Sequence, residues 1–377
     1  MNRNSYIILF FFCCLLLGCK KEPDCEQIST HRTVLVYLGV DNNFRDEAKE
    51  KIEMLTSNWD RSFDGNLLVY ADAGEKPVLV HIYHTKQRGV VADTIETYTA
   101  ENSASPAVFA RVLNKVKAYR PADSYGLVVL SHASGWLPAE MSSPIRLKSV
   151  ILDTGVSEAK YMELADFAEA IPYKLDFIIF DACFMGSVEV CYELKDKANY
   201  IVASPAEVLA PGFVYTSMMR HLFKPQPDLT AVAREFYEYY NNQSGLFRSA
   251  TVSVVKTSEL EALISVVKEI TAEANLLPED LNNIQTFGYG SQKIYFDMGD
   301  FLQKTSPEKQ KEIEAALDLC VVYKAHTPSY YSAATNKLHE INAFSGLSVY
   351  IPQAAYPEAN RAYGNLKWTN AADIIMP

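Results

Sequence analysis

The sequence predicts an α/β fold: a mostly parallel central sheet with helices on both faces. Two observations carry that expectation. Short apolar runs alternate with segments of helical periodicity along most of the 377 residues, the order that a parallel sheet with crossover helices requires. One run, Phe177-Ile178-Ile179-Phe180, is apolar at consecutive positions, as a strand buried on both faces must be. Composition agrees with a packed core. A chain that is 49% hydrophobic and 21% charged is globular, which excludes collagenous, coiled-coil and disordered classes. The formal net charge of −11 argues against a nucleic-acid partner, which needs clustered Lys and Arg.

The N-terminus reads differently from the body. Arg3 precedes the apolar run Tyr6–Leu17, then Gly18-Cys19. A positive end, a short apolar core and a small residue before a cut make an export signal over residues 1–18. The tetrapeptide Leu16-Leu17-Gly18-Cys19 resembles the bacterial lipoprotein box. That resemblance implies cleavage before Cys19 and acylation of its thiol and new amine. The expected product is an exported lipoprotein of the cell envelope, held by its lipid to the outer membrane on the periplasmic or cell-surface side. Residues 19–30, polar and interrupted by Pro23, read as a flexible tether. The charged Lys20-Lys21-Glu22 resembles surface-export signals of Bacteroidetes lipoproteins.

The remaining elements follow in order. Thr33–Leu38, Asn66–Tyr70, Val78–Tyr83, Tyr125–Leu130, Phe177–Phe180 and Tyr200–Ser204 read as strands. Between them, Arg45–Leu55 reads as a helix. Another is opened by Ser105-Pro106, with the stripe Val108, Val112 and Val116 beside Phe109 and Leu113. Tyr161–Ala170, stopped by Pro172, and Gly186–Leu194 are further expected helices. Beyond Tyr240 the order is less regular, with strands at Ala250–Val255 and Gly346–Ile351 and helices at Ser258–Asn275 and Pro307–Tyr323. We therefore divide the mature chain into a main α/β domain over 31–240 and a C-terminal extension over 241–377, either a continuation of the sheet or a small subdomain.

Two strands end in reactive side chains: Leu130-Ser131-His132 and Phe180-Asp181-Ala182-Cys183. Ligands in open α/β sheets sit at the carboxyl ends of the strands. If these strands are neighbours, an imidazole faces a thiol there, and that pair generates a nucleophile. The small residues of Ala133-Ser134-Gly135 leave backbone N–H groups accessible to a developing oxyanion. The other cysteines do not compete: Cys13 and Cys14 leave with the signal, and Cys191 and Cys320 sit in apolar helical patterns. With no CxxC pair a zinc ribbon is excluded, and with no GxSxG a serine nucleophile elbow is excluded.

The segments Ser124–Trp136 and Asp176–Val190 resemble the His and nucleophile segments of the clostripain family of cysteine peptidases. Val40-Asp41-Asn42-Asn43, Ala203–Glu207 and Asp297–Phe301 match as well, so the resemblance runs from about Thr33 to about Pro352. It implies a caspase-like fold and a Cys/His dyad, with Cys183 as nucleophile and His132 as general acid/base. The backbone N–H groups of Ala133 and Cys183 would form the oxyanion hole. It also implies an endopeptidase that cuts peptides or proteins after Arg or Lys through a thioester acyl-enzyme. Asp181 matches the acid that holds the substrate's basic side chain. Glu207 is either a second acid on the pocket rim or a solvated loop charge. Arg146 and Lys148 lie between the His and Cys segments, where family members cleave themselves; a solvated basic loop is the alternative. The family also implies calcium, with no ligand set readable here. One departure stands out: Ala133 occupies a position usually held by Gly. It favours the rival reading, a surface lipoprotein that keeps the fold as a binding module with little or no peptidase activity.

Overall fold

The computed structural model describes residues 30–374 except positions 43, 74–75, 86, 100, 140–149, 155–159, 272–279 and 289–291. Cys19, the tether and the candidate self-cleavage residues Arg146 and Lys148 lie outside the described residues.

A nine-stranded sheet organises the chain. Its strands are β1 (Thr30–Gly39), β2 (Asn66–Asp72), β3 (Val78–Thr85), β4 (Gly89–Thr97), β5 (Ala122–Leu130), β6 (Leu175–Asp181), β7 (Ala198–Ala203), β8 (Thr251–Lys256) and β9 (Val321–His326). They lie in the order β9-β8-β7-β6-β5-β1-β2-β3-β4. The five central strands, β7 to β2, run parallel. The outer pairs on both sides are antiparallel. The expected mostly parallel sheet is present, and two strands from beyond Tyr240 are added to its edge.

Consecutive apolar residues explain why the sheet is covered twice. Alternate side chains of one strand enter opposite layers. Leu35, Tyr37, Leu127, Val129, Ile178 and Phe180 face one core. Val34, Val36, Val128, Leu130, Phe177 and Ile179 face the other. On the first side pack α2 (Pro106–Tyr119), α3 (Leu164–Ala170) and α4 (Val188–Glu193) with helices from the C-terminal third. On the second pack α1 (Arg45–Ser57), α5 (Tyr215–Leu222) and α6 (Leu229–Asn241). The stripe expected for α2 is its buried face.

Some elements differ from the sequence expectation. The helix expected at Pro307–Tyr323 ends at Cys320, because Val321–His326 pairs as β9 with β8. The helix expected at Tyr161–Ala170 begins at Leu164; Lys160–Met162 instead pairs with Ile151–Asp153. The strand expected at Gly346–Ile351 shrinks to Ser348–Val349, paired with Tyr295–Asp297.

Candidate active site

Strands β5 and β6 are parallel neighbours, and Leu130 is opposite Asp181. Adjacent strands lie about 4.8 Å apart. His132 and Cys183 therefore leave the sheet at the same level from neighbouring strands, each two residues past that paired position. This is the carboxyl edge of the parallel strands, beside β1, whose partners β2 and β5 lead away in opposite directions.

The His loop is anchored from below. The Ser131 hydroxyl donates to the Gly39 carbonyl at 2.9 Å and accepts the Leu152 N–H at 3.2 Å. The imidazole of His132 stacks on Phe44, with ring centroids 4.1 Å apart. Phe44 is itself held by the segment after β1. Its N–H donates to Asn42 Oδ1 at 2.9 Å, and the Asn42 amide donates to the Leu152 carbonyl at 2.9 Å. The Val40-Asp41-Asn42 motif thus positions the ring that rests on His132.

Cys183 is half-buried, whereas Cys191 and Cys320 are buried. Burial pushes the Cys191 thiol well up and the Cys320 thiol up to about 12, so both stay protonated and inert. The Cys183 sulfur accepts the Val208 N–H at 3.3 Å and lies 3.7 Å from the Val208 carbonyl. The next residue, Phe184, has φ +60°, a left-handed conformation that a bulky residue adopts only under constraint. The constraints are visible. The Phe184 N–H donates to the Ala206 carbonyl at 3.0 Å, and its ring stacks on Tyr295 with centroids 4.9 Å apart. The Tyr295 hydroxyl donates to the Ser134 carbonyl. Tyr295 therefore ties the Cys turn to the His loop. Ser187 then caps α4 by accepting the Val190 N–H.

The glycine requirement of the His loop falls on Gly135, which has φ +64° and no room for a Cβ, since one would lie 2.7 Å from the Phe184 carbonyl oxygen. Among the described residues the non-glycine positive-φ positions are Phe184, Asn336 and Asp373. Ala133 is not one of them, so its side chain adds no backbone strain.

Asp181 is 5% exposed. It lies under the loop that precedes α5 and not at an open mouth. Its Oδ2 accepts the Phe213 N–H at 3.3 Å. Gly212 presses so closely that any Cβ there would run into the carboxylate. Burial raises the Asp181 carboxyl to about 6; the positive charge of Lys51 and the Phe213 N–H pull it back down, and the Tyr215 hydroxyl lies beside it. Glu207 accepts the Ala333 N–H with both oxygens, at 3.0 Å each. That bond ties Glu207 to the hairpin of Ser329–Ser332 with Lys337–Glu340. No group of three or more His, Cys, Asp or Glu side chains among the described residues could hold a metal ion. Calcium, which the family resemblance implied, meets no such side-chain cluster among the described residues.

Sequence reasoning did not find Phe44, Tyr295 or Lys51. Phe44 directly follows the Asp41-Asn42-Asn43 match, and Tyr295 lies two residues before the Asp297–Phe301 match. Both matches pointed at the right neighbourhoods. A lysine in an amphipathic helix gave no such signal.

The family model described as the clostripain family matches residues 36–364. The chain belongs to the clostripain family of cysteine peptidases. Clostripain of Hathewaya histolytica is 27% identical over 216 residues, 48% of this chain and 40% of that protein; the match therefore spans well under half of that relative's length. Solved structures of this family agree over nearly their full length. A secreted C11 cysteine protease from Bacteroides thetaiotaomicron, in complex with an irreversible peptide inhibitor, is 29% identical with a TM-score of 0.81, covering 91% of this chain and 99% of that one. An inactive zymogen C11 protease from Parabacteroides distasonis is 32% identical with a TM-score of 0.80 at the same coverage. The caspase-like fold of this clostripain-family chain rests on these likenesses.

Proposed function

We propose that this clostripain-family chain is an endopeptidase that cleaves peptides or proteins after Arg or Lys, using Cys183 and His132 as one catalytic unit. The observation that carries the proposal is the in-register exit of His132 and Cys183 from β5 and β6, with Cys183 the least buried of the described thiols. In the reaction, His132 takes the thiol proton and the sulfur attacks the scissile carbonyl carbon. The backbone N–H groups of Ala133 and Cys183 receive the developing oxyanion. His132 returns its proton to the departing amine, leaving a thioester on Cys183. Water, deprotonated by His132, then attacks the thioester and releases the acid and the thiol.

Asp181 supplies the preference for a basic side chain, as its match to the family's acid implies. Removing one member of a buried, hydrogen-bonded charge pair costs roughly 2–5 kcal/mol, about 30-fold to several thousandfold in kcat/KM. The test is Asp181→Asn on matched substrates carrying Arg, Lys or Gln at the cleaved position. A selective loss on Arg and Lys supports the reading. An equal loss on all three assigns Asp181 to support of the nucleophile turn, and no loss moves the preference to another acid, with Glu207 first.

We further propose self-cleavage at Arg146 or Lys148, and export with a lipid on Cys19. The Leu16–Cys19 box supports the anchor, and the relative described as secreted supports export. Fractionation of cells carrying Cys19→Ala tests the anchor: equal membrane retention of variant and wild type would refute it. The rival reading, a binding module without turnover, drew on Ala133, and the backbone there gives it no support.

A further inference from the structure

The nucleophile turn is stitched to a second stretch of chain, residues 204–208, which follows β7. The Gly186 N–H donates to the Ser204 carbonyl at 2.8 Å, and the Phe184 N–H to the Ala206 carbonyl at 3.0 Å. Any Cβ at Gly186 would lie 2.5 Å from the Pro205 nitrogen, so the two backbones are in contact. The Ser204 hydroxyl pairs with the Thr251 hydroxyl at 2.7 Å and accepts the Ala206 N–H at 3.2 Å. Glu207 ties the same stretch to the hairpin, its two carboxylate oxygens each 3.0 Å from the Ala333 nitrogen. Held on both sides, the stretch presents the Val208 N–H to the Cys183 sulfur at 3.3 Å. The Val208 carbonyl is the farther group, at 3.7 Å, and can accept the proton of the neutral thiol.

Loss of that proton changes the balance between the two contacts. A thiol sulfur is a weak acceptor, whereas an ionised acceptor takes a far stronger hydrogen bond. A donor aimed at the charged form favours that form. A backbone donor fixed before the reaction costs no reorganisation when the charge develops. We infer that the Val208 N–H is a catalytic donor distinct from the oxyanion pair: it stabilises the Cys183 thiolate once His132 has taken the thiol proton, and again when that thiolate leaves the acyl-enzyme. This rests on the reading of Cys183 as the nucleophile. In the leaving step the water oxygen bonds to the acyl carbon, and the C–S bond breaks with its electron pair on sulfur. His132 then returns the proton it took from water to that sulfur. The titratable groups on the adjoining segments are His132 on the neighbouring loop, Asp181 beneath the 209–213 loop, and Glu207, whose carboxylate is turned to Ala333.

The test replaces Val208 by its α-hydroxy acid, which puts an ester oxygen where the N–H stood and keeps the side chain. The rate of Cys183 alkylation by iodoacetamide is then followed across pH. The midpoint of that profile should move up by about one unit, the scale of one hydrogen bond to a charged group. A less stabilised thiolate is also more nucleophilic, by about threefold per unit. The plateau at high pH should therefore rise about threefold. On the acid limb, about ten times less thiolate reacts about three times faster, so the rate should fall about threefold. Opposite changes at the two ends distinguish a lost donor from a loosened turn, which would move both ends together. An unshifted midpoint, or a change of the same sign at both ends, overturns the proposal. If the ester variant loses its melting transition, Val208→Pro, which also lacks the N–H, decides by the same criteria. Cys183→Ala separates the two ideas. If it keeps peptidase activity, Cys183 is not the nucleophile and the underlying reading has failed. If it is inactive and the alkylation profile does not shift without the N–H, only the donor is wrong.

Discussion

Phe44 lies against the imidazole of His132, ring centroids 4.1 Å apart and planes inclined by 28°. The stack fixes one face of the imidazole, and its ring comes from a segment that hydrogen-bonds to the backbone of the same loop cluster. A misplaced catalytic group loses rate more than binding, and a shift of about 1 Å can cost about a hundredfold. Phe44→Ala should therefore lower kcat by about tenfold to a hundredfold with little change in KM. Phe44→Tyr, which keeps the stack, should restore most of it. Steady-state kinetics of the two variants check this; equal losses in both would assign Phe44 to general packing.

Tyr295 joins the two loops through its ring on Phe184 and its hydroxyl on Ser134. Tyr295→Phe removes one hydrogen bond, worth about 1 kcal/mol, and keeps the stack. Tyr295→Ala removes both and a fully buried aromatic ring, at roughly 3–5 kcal/mol. Thermal unfolding should rank the two in that order. The rate of Cys183 alkylation should change in Tyr295→Ala, which removes the ring that stacks on the strained Phe184. Unaltered alkylation in Tyr295→Ala would show that Phe184 keeps its conformation without the clamp.

Glu189, in α4 behind the nucleophile, is fully buried and accepts the Tyr350 N–H at 2.7 Å. Burial raises its carboxyl from 4.5 to about 7. In the unfolded chain the same group ionises near its ordinary value. Between about 4.5 and 7 the folded state thus binds more protons than the unfolded one, and stability falls as pH rises through that window. Asp181 and Asp297, each raised to about 6 by burial, act in the same direction. The melting temperature should fall from pH 4.5 to 7, and Glu189→Gln should flatten the fall. A slope identical to wild type would contradict the assignment.

The parallel core was legible because consecutive apolar residues in Val34–Leu38 and Phe177–Phe180 leave a strand no solvent face. The positions of His132 and Cys183 were legible for the same reason: each ends such a run. The antiparallel edges were not. Gly89–Thr97 sets Val90-Val91-Ala92 beside Asp93-Thr94 and so has no clean period of two, and its place as β4 is set by pairing with β3. Val321–His326 continues a helical pattern until pairing with β8 makes it a strand. The cover over Asp181 was not legible, because the sequence after β6 says nothing of the 209–213 loop, which lies over it from about thirty residues downstream. Lys51 escaped notice because charge in a helix reads as exposure, and its burial follows from the packing of α1 against α5 and the loop before it.

The most direct measurement is mass spectrometry of the purified chain after reaction with a thiol-reactive peptide bearing Arg at its reactive position. The peptide mass should appear on Cys183 alone, the label should fall sharply in His132→Ala, and Cys191→Ala should label like wild type. Label on Cys191 or Cys320, or undiminished label on Cys183 when His132 is gone, would contradict the joint action of Cys183 and His132.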